Sequence, residues 1–184
     1  MIHSLYRVLN IFLLTLLGII ICAVQSVLLK TPSLAWLELD CIVLVVVYLS
    51  LHRNLVEGTV VALILARLME VHSGSPAGVL TICYLAVFLA LLFTKEMFLV
   101  GTTFSSMWLA MVSGVLWKLS FLALGLQLGY FSNVWKSCLE FAIPYLLGLA
   151  VFSRPLFALL KKIDEITHYD IGAEDRQLSG EEIG

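Results

Sequence analysis

Five charged residues stand inside long apolar stretches of this chain: Asp40, Arg67, Glu70, Lys118 and Glu140. A charge at the centre of a membrane-spanning helix costs roughly 2.5–3.5 kcal/mol, so each needs a partner or a polar cavity. Arg67 and Glu70 are spaced i,i+3 and can pair along one helix face. Lys118 and Glu140 fall on consecutive antiparallel segments at similar depth. That placement predicts an interhelical ion pair, or a network shared with Arg67 and Asp40. Such a cluster can fix helix register, or it can line a pocket for a ligand or a partner. Other chemistry is thinly represented. His3, His52, His72 and His168 lie at segment boundaries or termini and do not converge as metal ligands would. Cys22, Cys41, Cys83 and Cys138 have no CxxC spacing and read as buried free thiols. Walker, HExxH, GxSxG and GxGxxG motifs are absent. No enzyme, cofactor or metal site is therefore expected.

The elements that must position these charges follow from composition. The chain has 184 residues, 61% hydrophobic and 13% charged, with a net charge of -2 and a mean hydropathy of +1.02. Soluble domains are roughly 45–50% apolar and about 25% charged. A soluble core of this length could not hide so much apolar surface, which leaves an all-α polytopic membrane protein. Six apolar segments approach the ~20 residues a span requires: 6–29, 36–51, 56–71, 77–93, 98–126 and 134–152. The first runs past a signal peptide's length without a small-x-small cleavage site, so a retained anchor is expected. Polar or proline-bearing turns separate the segments: Lys30–Ser33, His52–Asn54, His72–Pro76, Thr94–Glu96 and Gly129–Asn133, with Arg154-Pro155 expected to close the sixth. Connections this short predict a compact antiparallel bundle.

Basic residues orient the bundle. With six spans, one side holds Arg7, Arg53, Lys95, Arg154, Lys161, Lys162 and Arg176, and the other only Lys30 and Lys136. The positive-inside rule then makes both termini cytoplasmic. The expected organisation is a six-helix transmembrane domain over 1–153, an amphipathic helix over 154–169 and an acidic, disordered tail over 170–184. In the middle piece Leu156, Leu159, Leu160, Ile163 and Ile166 recur at helical spacing opposite Lys161, Lys162, Asp164 and Glu165. That pattern predicts a helix lying on the inner membrane surface. All five buried charges then fall in the outer half, and the cytoplasmic half is expected to hold almost none. A proton relay, which needs stepping stones through the full thickness, is disfavoured on that ground. Small residues recur at packing intervals: Ser106, Ala110 and Gly114, then Gly125 and Gly129, with Ala62/Ala66 and Ala86/Ala90 on other segments. They let helices approach closely, within the chain or against a partner.

Residues 36–93 carry a family resemblance. Asp40 opens an apolar run containing Tyr48 and ending at the basic turn of Arg53; Gly58 follows, then Glu70, then a loop with Gly74, Pro76 and Gly78. This order resembles the rod shape-determining protein MreD family. The resemblance implies a non-catalytic inner-membrane scaffold of the bacterial cell-elongation machinery. Such a scaffold binds MreC, and through it bears on MreB filaments and on a peptidoglycan glycosyltransferase–transpeptidase pair. It also implies a fold similar to the substrate-binding subunits of energy-coupling-factor transporters. The competing expectation is therefore a vitamin-type transporter subunit. Those subunits carry Ala-x-x-x-Ala in their first helix, where this chain has Gly18 and Cys22 with Ala23 alone.

Overall fold

The structure is a computed structural model that describes residues 2–28, 40–94, 103–129 and 141–167. Six helices account for nearly all of these residues: α1 (Ile2–Leu28), α2 (Cys41–His52), α3 (Leu55–Ser73), α4 (Val79–Thr94), α5 (Thr103–Gln127) and α6 (Ala142–Ile166). No strand occurs among the described residues. Local chemistry sets the ends. The Asp40 carboxylate caps α2 by accepting the Ile42 amide at 3.0 Å. α3 stops at Gly74, whose φ of +67° lets its N–H turn back to the Glu70 carbonyl. Gly78, at φ +93°, completes the turn into α4. Both conformations are strained for a residue bearing a side chain.

The packing places α2 at the centre. It touches every other described helix, while α1, α3, α4, α5 and α6 follow one another in a closed ring around it. Every α2 residue from Ile42 to Ser50 is buried. Close approach depends on small residues. A Cβ at Gly18 would lie 2.5 Å from Leu65 Cδ2, one at Gly58 2.6 Å from the Phe88 ring, and one at Gly114 2.4 Å from Leu149 Cδ1. Ala110 is buried in a cluster with Leu44, Tyr145 and Leu149, so the Ala110/Gly114 stripe of α5 faces inward. Ser106 is half-buried, Gly125 is buried and Gly129 is exposed with φ +67°.

The outer surface is apolar. Val8, Phe12 and Ile20 of α1, Trp108 and Leu119 of α5, and Ile143, Leu147 and Val151 of α6 are all exposed. Three helical stretches are long and apolar enough to cross a membrane: Val8–Val27, Ser106–Gln127 and Ala142–Ile166. α2 and α4 are shorter apolar helices. At 1.5 Å per residue they reach about 18 and 24 Å, against a hydrocarbon core of about 30 Å.

The largest departure from the expected boundaries is in α6. The helix does not stop at Arg154-Pro155 but runs through to Ile166 with Pro155 inside it. Proline removes only its own N–H, and hence one hydrogen bond to the Val151 carbonyl. Packing on both sides holds the helix together. Leu156, Phe157, Leu160 and Ile163 pack against the core beyond the proline. Residues 154–166 are therefore continuous with α6 and turn much of their apolar face to the bundle. Leu159 and Ile166 remain exposed. The tail over 170–184 lies outside the described residues.

Candidate functional site

Polar side chains gather at two opposite ends of the bundle. The end where α1 begins and α6 finishes is organised around Asp164. Its Oδ1 accepts a hydrogen bond from Asn10 Nδ2 at 3.0 Å, and its Oδ2 accepts one from the Tyr48 hydroxyl at 2.5 Å. Arg53 Nη2 forms an ion pair with the same carboxylate. Asn10 Nδ2 also donates to Thr167 Oγ1. Four segments meet here: α1, α2, the turn into α3 and the end of α6. Arg53 is only 2% exposed, and Asn10, Glu57 and Thr167 are buried with it. The Tyr48 ring stacks on His52 with centroids 4.3 Å apart and tilts against Phe157 at 5.8 Å.

This network overturns the expectation that the half of the bundle nearest the termini holds almost no buried charge. The polar turn expected at Arg53 is buried, and Asp164, expected on the polar side of a surface helix, is turned toward it. Because α6 continues past Pro155, its last turns lie over α1 and α2 and bring Asp164 inward. The clue was present in the spacing: Asp164 follows Leu160 by four residues and so shares its face. Asn10, one amide in an apolar run, carries no such signal. The inner half is therefore not empty of charge, and its emptiness cannot disfavour a proton path. What separates the two polar ends is apolar α2 itself: Ile42–Val47 intervene between Asp40 and Tyr48, about 12 Å along the axis.

At the opposite end two carboxylates dock on the first turns of α4. Glu70 Oε1 accepts the Thr81 amide at 2.8 Å, and its Oε2 accepts Arg67 Nη1 at 2.8 Å. Asp40 Oδ2 accepts the Tyr84 hydroxyl at 2.5 Å. Asp40 and Glu70 are thus joined through α4 rather than through Arg67. The Arg67 side chain is 62% exposed and holds Glu70 from outside. Gln25 Oε1 of α1 accepts the Cys41 amide at 3.0 Å, tying the first helix to the start of the second. Tyr84, Trp117 and Tyr145 form an aromatic chain with centroid separations of 6.0 and 6.2 Å. The Lys118 ammonium sits 4.7 Å from the Tyr145 ring centroid, a cation–π contact. Glu140, the expected partner of Lys118, lies outside the described residues.

The resemblance-bearing residues divide between the two ends. Tyr48 and Arg53 join the Asp164 network, with Gly58 a turn away against Phe88; Asp40 and Glu70 hold α4, beside the 74–78 turn with Pro76. Each of the carboxylates Asp40, Glu70 and Asp164 accepts at least two hydrogen bonds and so acts as a structural tie between segments. Among the described residues, no group of three His, Cys, Asp or Glu side chains could hold a metal ion. No family model matches the chain, and neither a curated protein nor a solved structure matches it.

Proposed function

We propose that this chain is a non-catalytic scaffold of the bacterial inner membrane serving the cell-elongation complex. It crosses the membrane six times with both termini cytoplasmic and binds MreC. Through MreC it bears on MreB filaments and on the peptidoglycan glycosyltransferase–transpeptidase pair. The observation that carries the reading is the use made of the residues behind the MreD resemblance. Asp40, Tyr48, Arg53 and Glu70 are each engaged in ties between segments. A body whose polar groups hold its own helices in place suits a rigid platform for other proteins. In this arrangement the Asp164 network lies at the cytoplasmic end and the 74–78 turn outside. The short α2 lies within the ring of longer helices.

Depletion in a rod-shaped host is expected to round the cells, and affinity purification is expected to recover MreC. Rods of normal shape together with no recovered MreC would reject the scaffold. For the topology, a cysteine placed at Ser75 should react with an impermeant maleimide in intact cells, and one at Ser179 only after lysis. The opposite labelling would overturn it.

A further inference from the structure

We infer that the end of α6, residues 156–166, forms a hinged strap that pivots at Pro155 and is latched closed over Arg53 by Asp164. The hinge lies in one turn of backbone. Pro155 has no N–H to offer the Val151 carbonyl. In the same turn the buried Ser153 hydroxyl donates to the Ala150 carbonyl at 2.8 Å, a bond that competes with the helix's own. Two successive carbonyls of the ladder are thus weakened at one level, and such positions are where helices bend.

The two halves of α6 are held differently. Before the proline, Tyr145, Leu146 and Leu149 close around Gly114 of α5 and leave no room for a Cβ there. Beyond it, the polar hold is concentrated in one carboxylate, because Asp164 takes Asn10, Tyr48 and Arg53 together. The fully buried apolar side chain of this half is Leu160, while Leu159 and Ile166 are exposed. Closure also leaves Asn10 Oδ1 buried with no hydrogen-bond partner among the described residues, which works against the closed position. An isolated helix shorter than about 12 residues is marginal in water, so a released strap loses its own hydrogen bonds as well. What opening uncovers is Arg53, 2% exposed when the strap is closed, with the Tyr48 hydroxyl beside it. The strap thereby decides whether that cation is open to a carboxylate other than Asp164. This device needs neither the membrane topology nor the scaffold reading.

The test is hydrogen–deuterium exchange of the full chain in detergent, read by mass spectrometry along α6. Asp164→Asn should speed exchange over 156–166 about tenfold and as one block, with 142–153 changed by less than about twofold. Tyr48→Phe, which removes one tie and keeps the ring, should speed the same block about threefold. Pro155→Ala in the Asp164→Asn chain returns an N–H to the Val151 carbonyl and should slow the block again by about threefold. Arg67→Ala, at the opposite end, should leave the block unchanged. Phenylglyoxal should modify Arg53 faster in Asp164→Asn than in the native chain, and equal rates would show that the strap does not cover it. Exchange that rises progressively back from Ile166 would mean end fraying and overturn the hinge, as would no slowing by Pro155→Ala. Equal acceleration of both halves of α6 in Asp164→Asn, or no acceleration in either tie variant, would overturn the latch.

Discussion

The two polar ends of this bundle use similar side chains for different connections. At the end carrying the termini, Asp164 is tied to Asn10, Tyr48 and Arg53, partners separated from it by 111 to 154 positions. At the opposite end Glu70 is tied to Arg67 and Thr81, three and eleven positions away, and Asp40 to Tyr84 at a separation of 44. One network joins the first helix, the central helix and the last; the other secures neighbours within the α2–α4 hairpins. The contrast shows where the ring is closed. α1 and α6 are the first and last described helices along the chain, and polar ties stand at their junction. Local turns already bring α3 and α4 together, so the ties there fix register more than topology.

The contrast can be broken most severely at Asp164. Its replacement by Ala breaks the ion pair with the buried Arg53, a change that typically costs about 3–5 kcal/mol. A marked fall in the thermal midpoint in detergent is expected, with cleavage in α6 under limited proteolysis. A double-mutant cycle of Asp164→Ala with Arg53→Ala should show strong coupling; additive losses would mean that the two do not act together. Next in size is Gly58→Leu, which drives a side chain into the Phe88 ring and should cost about 1–3 kcal/mol through overpacking. Phe88→Ala in the same chain should recover part of that loss, and no recovery would place the strain elsewhere. Glu70→Gln should be milder, near the ~0.6–1.7 kcal/mol of interhelical hydrogen bonds within membranes. Its effect should appear as faster amide exchange at Thr81, with the α6 end unchanged. Smallest is Arg67→Ala, an exposed partner for which about 0–1 kcal/mol is expected. A loss at Arg67 equal to that at Asp164 would abolish the distinction between the ends.

Much of the helical layout was legible because apolar runs and their breaks carry it. The segments 56–71 and 77–93 match α3 (Leu55–Ser73) and α4 (Val79–Thr94) within about two residues, since Asn54, Gly74 and Gly78 mark the turns. The Arg67–Glu70 pair was legible for a similar reason: its geometry belongs to a single helix. Pro155 is a misleading stop signal because packing on both sides of it offsets the proline's local cost. The Asp164 network was hidden for a deeper reason. Periodicity tells which residues share a face, but not which helix will cover that face. Asn10 and Asp164 meet only because the ring closes, a fact of the whole fold rather than of either segment.

Under the membrane topology proposed above, the burial of α2 would have a consequence for biogenesis. A helix enclosed by five others meets no lipid in the finished protein, so the bilayer places no demand on its side chains there. Its run of Ile42, Val43, Leu44, Val45, Val46 and Val47 is nonetheless without a polar residue. That sequence answers to an earlier moment, when the nascent segment leaves the translocon before α3 to α6 exist to shelter it. Being only about 18 Å long, it is poorly matched to a bilayer on its own. The chain's most protected element is therefore also its most exposed one during synthesis, and there a single polar substitution would act on insertion before it acted on packing.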